Sequence, residues 1–383
     1  MPGTRQGECV PVGSAGPLGS VRYHGILLGR LSSMGIGGTV LQWFQSFLGG
    51  RVQKVVLGDY CLAPWPLACG VLQGSVLSPM LFNIYMKPLG EVIRGFGLSC
   101  QQYADHTQLY LSLSPDPREA VDVLNRGLEA VMGWMWANKL KLNPDKMEVI
   151  LVSRRANRDK DILPVLDGVA LPLKEQVRSL GVLLDPALLL EAQVEAVARG
   201  AFAQFRLVRQ LRPFLKKADL ATVTHALVTS RLNYCNTLYV GLPLKNNQKL
   251  QLVQNAAARV LSRAARWEHI TPILKELHWL PVCFRVQFKV LVLTFKALNG
   301  LGPGYLRDRL LPRVAAHLTR SSEGALLWVP TMREAWLSCT RDRAFSVAAP
   351  RLWNALPVVI RSSVSITAFR KNVKSWLFAQ AFI

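Results

Sequence analysis

Gln101-Gln102-Tyr103-Ala104-Asp105-His106-Thr107-Gln108-Leu109-Tyr110 is the stretch on which the reading of this chain turns. Leu98 and Cys100 lead into it, and Leu109, Leu111 and Leu113 lead out. Apolar and polar residues alternate on each flank and a short polar step joins the flanks, so the spacing predicts a β-hairpin with Asp105 at its tip. A lone aspartate in a tight turn is ordinarily a turn residue. The alternative is a carboxylate held out at an apex for a metal ion, and the rest of the chain has to decide between the two.

Downstream, Asp116-Pro117-Arg118-Glu119 reads as a helix start, with a capping side chain, a first-turn proline and a capping-box glutamate. Val121, Leu124, Leu128, Val131 and Met135 form the stripe that this helix buries. Leu140 and Leu142 alternate with lysines, Asn143-Pro144-Asp145 turns the chain, and Glu148–Val152 and Val177–Leu184 read as strands. Upstream, a Gly-containing loop, Cys69 to Pro79, runs into a helix over Met80–Leu89. Two further helices are expected before it, from Ile26 to Met34 and from Val40 to Leu48, followed by a strand over Arg51–Leu57 that ends in a Gly58-Asp59 turn. Residues 1–23 are rich in Gly, Pro and Ser and carry no periodicity, which reads as an unstructured N-terminus.

Strands and helices mix up to Pro186, as in an α+β domain, and helical patterns dominate after it. Leu220, Val223, Leu227, Tyr234 and Leu238 suit one amphipathic helix; Leu250, Val253, Ala257 and Val260 a second; Val286, Val290, Leu293 and Ala297 a third. Gly302-Pro303-Gly304 reads as a linker. The expected organisation is therefore 1–23, an α+β unit over 24–186, a basic helical region over 187–300, and a basic region over 301–383 marked by Trp328, Trp336, Trp353 and Trp376.

The charge balance is lopsided: 46 Lys and Arg against 24 Asp and Glu, a net charge of +22, which points to a polyanionic partner. Between Asp219 and Glu268 there is no acid, but there are Arg231, Lys245, Lys249, Arg259, Arg263 and Arg266. These six are candidate phosphate contacts, with a solvated face as the plain alternative. The seven cysteines form no Cys-x-x-Cys pair, which favours a reducing compartment. No apolar run approaches the roughly 18 residues of a membrane span, and the first residues lack the apolar core of a signal peptide. An intracellular protein of the nucleus or cytoplasm, neither secreted nor bound to a membrane, is expected.

The stretch Gly70-Val71-Leu72-Gln73-Gly74-Ser75-Val76-Leu77-Ser78-Pro79-Met80-Leu81-Phe82-Asn83-Ile84-Tyr85, then Tyr103-Ala104-Asp105-His106-Thr107, then Asn138 to Lys146, then Ser179-Leu180-Gly181-Val182-Leu183-Leu184-Asp185 follow one another in an order that resembles the reverse transcriptase of non-LTR (LINE-type, chicken-repeat-like) retrotransposons. The blocks His269–Pro281 and Arg343–Asn354 resemble the tail of the same polyproteins, so the likeness runs from about His24 to the C-terminus. It implies a partial right-hand polymerase: a fingers and palm remnant followed by a mostly helical thumb and a C-terminal region. The implied partners are an RNA template and a DNA primer, or their RNA–DNA duplex. The implied cofactor is Mg²⁺ or Mn²⁺, two ions serving the attacking oxygen and the leaving group.

By the same resemblance, Asp105 matches a catalytic metal ligand, and Tyr103 and Ala104 pack beside the primer terminus. Gln73 and Gly74 match the loop along template and nucleotide, Lys146 a lysine near the triphosphate, and Leu180, Gly181 and Val182 the primer grip. The sequence departs from the family at the metal site. His106 stands where a second aspartate belongs, and imidazole adds no negative charge for a hard cation. The family's other aspartate lies on a strand just upstream of the matched region, and no acid occurs between Glu8 and Asp59. Two of three expected carboxylates are thus absent. The expectation is a truncated, catalytically impaired polymerase that still binds nucleic acid. The alternatives are an active enzyme completed by a partner or a missing exon, and a non-enzymatic basic scaffold.

Overall fold

The elements follow the apolar spacing closely where it is long and depart from it where tertiary contacts intervene. The computed structural model describes residues 21–66, 70–71, 74–112, 117–143, 146–152, 163–313, 326–331 and 341–382. In chain order these are α1 (Val21–Ser33), α2 (Gly38–Leu48), β1 (Val52–Gln53), β2 (Val56–Leu57), β3 (Tyr60–Cys61), β4 (Trp65–Pro66), α3 (Ser78–Gly95), β5 (Ser99–Tyr103), β6 (His106–Tyr110) and α4 (Pro117–Ala137). Then come β7 (Val165–Leu166), β8 (Val169–Ala170), β9 (Val177–Ser179), β10 (Val182–Leu184), α5 (Glu191–Leu211), α6 (Lys217–Thr224), α7 (Ser230–Asn233), α8 (Leu244–Ser262), α9 (Ile270–Glu276) and α10 (Val282–Leu298). Last are α11 (Gly304–Arg307), α12 (Phe345–Asn354), α13 (Val358–Arg361) and α14 (Ile366–Ala381). The mixture of helix and short strands is that of an α+β protein.

The chain divides into two packed units, residues 1–149 with 155–174, and residues 150–154 with 175–383. In the first, Leu27 and Leu31 of α1, Leu48 of α2 and Leu81 of α3 share one core. Met86, Leu89 and Ile93, further along α3, pack with Leu98 and with Val131 of α4 in a second. Gly127 makes that contact possible: a Cβ there would lie 2.2 Å from Leu98 Cδ1. Among the described residues every sheet is a two-stranded antiparallel ladder. The expected strand over Arg51–Leu57 is interrupted, and its two pieces pair with β4 and β3 in one arm, joined by Leu62 N–H donating to Val55 O at 3.0 Å. The strand expected over Glu148–Val152 reduces to a single parallel bridge, Val149 to Leu173. Asp116, the expected cap of α4, lies outside the described residues, as does Trp336.

In the second unit, α5, α6, α8 and α9 surround one core with Val194, Ala201, Leu250, Val253 and Leu274. Around α10 a second core joins Phe295, Leu310, Trp353, Phe369 and Leu377. The packing does not break at residue 301. Gly302 lies against the last turn of α10, and Pro303 caps α11 rather than ending a domain. Phe295 and Phe369 stack at 4.3 Å, which ties α14 to α10 across the supposed linker. The expected boundary at 186 is also displaced, because β9 and β10 belong to the second unit.

The single helix expected through Leu220–Leu238 is broken instead. After α6 the chain takes one π turn over His225–Thr229, then α7, then a 3₁₀ turn over Asn236–Tyr239. Tyr234, in extended conformation, ends α7, and Cys235 at φ 49° leads into the 3₁₀ turn.

Candidate functional site

The expected hairpin forms with Asp105 at its tip: Tyr103 faces His106, Gln102 faces Thr107, Gln101 faces Gln108, and Cys100 faces Leu109. Two residues, Ala104 and Asp105, close it, with Ala104 at φ 53°. Gln101, Tyr103, His106, Gln108 and Tyr110 line the exposed face; Cys100, Gln102, Thr107 and Leu109 turn inward. Gln102 Nε2 and Thr107 Oγ1, opposite each other on the inner face, are buried without a hydrogen-bond partner. Asp105 is exposed at the apex. Among the described residues no group of three or more His, Cys, Asp or Glu side chains converges. One carboxylate beside one imidazole does not fit a pair of hard cations, which need several oxygen donors held together.

Gln73 lies outside the described residues. Gly74, at φ 85°, turns the chain toward α3, where Ser75 Oγ accepts from Leu77 N–H and Pro79 occupies the first turn. The same helix touches the hairpin lower down, since a Cβ on Gly90 would stand 2.9 Å from Gln102 Oε1. Lys146 is exposed on a turn closed by its N–H donating to Asn143 O at 3.2 Å. Asn138, noted in sequence only as part of a motif, is a packing hub. Its carbonyl accepts from Tyr85 Oη at 2.6 Å, its amide donates to Trp134 O at 2.7 Å, and its Oδ1 accepts from the Arg30 guanidinium. Arg30 lies over the Tyr85 and Trp134 rings, and burial there pushes it below the ordinary guanidinium value.

The candidate primer-grip residues lie in the second unit. Val182 faces Ser179 and the two-residue turn is Leu180-Gly181, at φ 45° and 82°. Both central residues are left-handed, as a type I′ turn requires. Tyr234 Oη donates to Leu180 O at 2.5 Å, and its ring lies 3.7 Å from where a Cβ on Gly181 would be. The strand then enters a loop held by Asp185, whose two carboxylate oxygens accept from Leu189 N–H at 2.9 Å and Leu190 N–H at 2.6 Å. Gln193 of α5 accepts from Leu183 N–H at 2.9 Å and fixes the hairpin to that helix. Sequence reasoning missed these roles. Asp185 was legible only as a turn residue, and Tyr234 was placed on a helical stripe it does not occupy.

The six candidate phosphate contacts are not equivalent. Lys245 and Lys249 pair with Glu191 and Glu195 across α5 and α8, at 2.7 and 2.6 Å. The Lys249 ammonium bonded to it holds the Glu195 carboxyl below its ordinary value. Arg259 donates to Glu268 O at 3.0 Å, and Arg231 lies against Gly200 of α5, 3.4 Å from a Cβ built there. Arg263 and Arg266 are exposed. The acidic pair at i and i+4 on α5 matches the basic pair at i and i+4 on α8, a complementarity that was present in the sequence and went unread. No described helix is long and apolar enough to cross a membrane.

Residues 23–184 match the family model described as reverse transcriptase (RNA-dependent DNA polymerase). Among curated proteins, the chain is 24% identical over 245 residues to a "Probable RNA-directed DNA polymerase from transposon BS" of Drosophila melanogaster, an alignment covering 61% of this chain and 27% of that relative. The chain therefore spans about a quarter of the length of the curated relative it matches.

Proposed function

We propose that this chain is a retrotransposon-derived reverse transcriptase, of the LINE-type lineage, that holds nucleic acid but no longer joins nucleotides. The family match over residues 23–184 and the transposon polymerase relative support the lineage. The observation that carries the loss of chemistry is the exposed Asp105-His106 tip, where one carboxylate stands beside an imidazole instead of the several oxygen donors two hard cations need. On this reading the described parts of 24–186 are fingers and palm elements, and the basic helices beyond them act as a thumb along an RNA–DNA duplex. What remains for this chain's own residues is grip: the braced Leu180-Gly181 turn against the primer strand, and cations on the helices against phosphates.

The test is primer extension on an RNA template with Mg²⁺ and with Mn²⁺, alongside duplex binding over a range of salt. The expected result is no incorporation with either ion and binding that weakens steeply with salt. Incorporation that Asp105→Asn abolishes would overturn the loss of chemistry, and salt-independent binding would overturn the grip. A second reading has one observation in its favour. The outer edges of the β5–β6 ladder pair with no other strand among the described residues, which leaves room for a strand supplied by another chain. Incorporation that appears only on adding a palm-strand polypeptide bearing the lineage's aspartate would favour it.

A further inference from the structure

We propose that the polyanion-binding surface of the second unit is the C-terminal half of the seam between α5 and α8, and that its N-terminal half is closed by the Glu191–Lys245 and Glu195–Lys249 ion pairs. This rests on the nucleic-acid grip argued above and locates it mainly on arginines of α5 that the chain's charge pattern had not singled out.

The two ion pairs set the register. Each joins residue i of α5 to residue i+54 of α8, so the two helices run parallel with the same side of each turned to the seam. On α5, helical spacing carries that side from Glu191 and Glu195 to Arg199, Phe202, Arg206 and Arg209. It lies next to the buried stripe of Val194, Ala198, Ala201 and Val208 rather than on it. On α8 it runs from Lys245 and Lys249 past Leu252 to Arg263.

The character of the seam therefore changes along its length. The first turns are neutral, two acids against two lysines. The last turns are entirely basic, because no acid occurs between Glu195 and Asp219. From Arg199 to Arg209 this basic row extends about 15 Å at 1.5 Å per residue. Arg199, Arg206, Arg209 and Arg263 are exposed, and among the described residues no hydrogen bond or ion pair reaches the Arg206, Arg209 or Arg263 side chains. Apolar side chains stand in the same row: Phe202 is 36% and Leu252 60% exposed. Guanidinium groups interleaved with an exposed ring suit a nucleic-acid backbone with its sugar and base edges better than a free small anion.

Lys245 and Lys249 are engaged by acids, whereas among the described residues no hydrogen bond or ion pair reaches Arg206 and Arg209, which the charge pattern had passed over. The ion pairs are solvent-exposed and individually weak, so they bias the lysines rather than lock them. Removing the two acids releases two cations at the head of the same row.

The experiment is binding of the full chain to a short RNA–DNA hybrid as a function of salt. The seam variant is Arg199→Gln with Arg206→Gln and Arg209→Gln. The control, Arg370→Gln with Lys371→Gln and Lys374→Gln, removes the same charge from the exposed side of α14. Loss of three phosphate contacts flattens the log–log salt slope by about three and weakens binding on the order of 100-fold near 0.1 M salt. The control is expected to keep most of its affinity and its slope. Glu191→Gln with Glu195→Gln is expected to bind more tightly than the parent with a steeper slope. If the parent binds with a steep slope and the seam variant matches it, or the α14 control loses as much, the seam is wrong while the nucleic-acid reading stands. If the parent shows no salt-dependent binding, the nucleic-acid reading fails and the seam with it.

Discussion

The β5–β6 and β9–β10 hairpins each close through two residues, and each puts a side chain at the first turn position where the backbone is left-handed: Ala104 at φ 53° and Leu180 at φ 45°. Two other hairpins in the molecule use the residues such turns prefer. Gly58 leads the Gly58-Asp59 turn between β2 and β3, and Asp167-Gly168 joins β7 to β8. The unfavourable turns fall in the two stretches that sequence motifs had marked as functional, in keeping with strain gathering where a site over-determines its backbone. What separates them is support. Leu180 is held by a hydrogen bond from Tyr234 and by the Asp185 loop behind it, whereas among the described residues no such hydrogen bond reaches the Ala104-Asp105 turn. One turn has surroundings that hold its geometry; the other carries its geometry on an exposed Ala104-Asp105 tip.

The largest test of that contrast is Asp185→Ala. The carboxylate accepts two backbone N–H bonds in a loop where Leu188 and Leu190 both take positive φ, so nothing local replaces it. The expected cost is about 2 to 3 kcal/mol, read from the denaturant unfolding of the second unit. A loss under about 0.5 kcal/mol would mean that the loop holds itself and the brace is ornamental. Tyr234→Phe removes one hydrogen bond and keeps the ring. About 1 kcal/mol is expected, together with faster amide exchange in β9 and β10 and unchanged exchange in β5 and β6. Equal acceleration in both hairpins would dissolve the distinction.

Sequence periodicity was sufficient wherever one contiguous stripe met one core. Val121, Leu128 and Val131 of α4 and Leu250, Val253, Ala257 and Val260 of α8 are buried as the spacing requires. The register of β5 with β6 was equally legible, because alternation fixes which side faces inward. Periodicity failed where a residue is recruited by a distant backbone. Tyr234 fits the stripe begun at Leu220, yet it leaves the helix and donates to Leu180 O. The linker read at Gly302-Pro303-Gly304 failed for a related reason. Local composition records turn chemistry but not the stacking of Phe295, Phe369 and Trp353 that spans the turn. At the candidate site, residue identity at positions 105 and 106 was fully legible. The partition of the cations was not, since only the helix pairing shows which lysines already face acids.

The finest test compares glycine at the two strained turns. Gly relieves the left-handed penalty of roughly 1 to 2 kcal/mol and gives back up to about 1 kcal/mol in unfolded-state entropy. Ala104 is exposed and surrenders almost no buried surface, so Ala104→Gly is expected to stabilise the first unit by about 0.5 kcal/mol. Leu180 is 40% exposed, so its substitution also gives up apolar burial of about 1 kcal/mol and comes out near neutral. Denaturation midpoints of the two variants measure the difference directly. Stabilisation at 104 without any at 180 marks the first tip as a strained turn with nothing left to strain against. Destabilisation by Ala104→Gly would instead mean that the methyl group is packed and the tip still held, and the β5–β6 apex would then deserve the same standing as the braced turn.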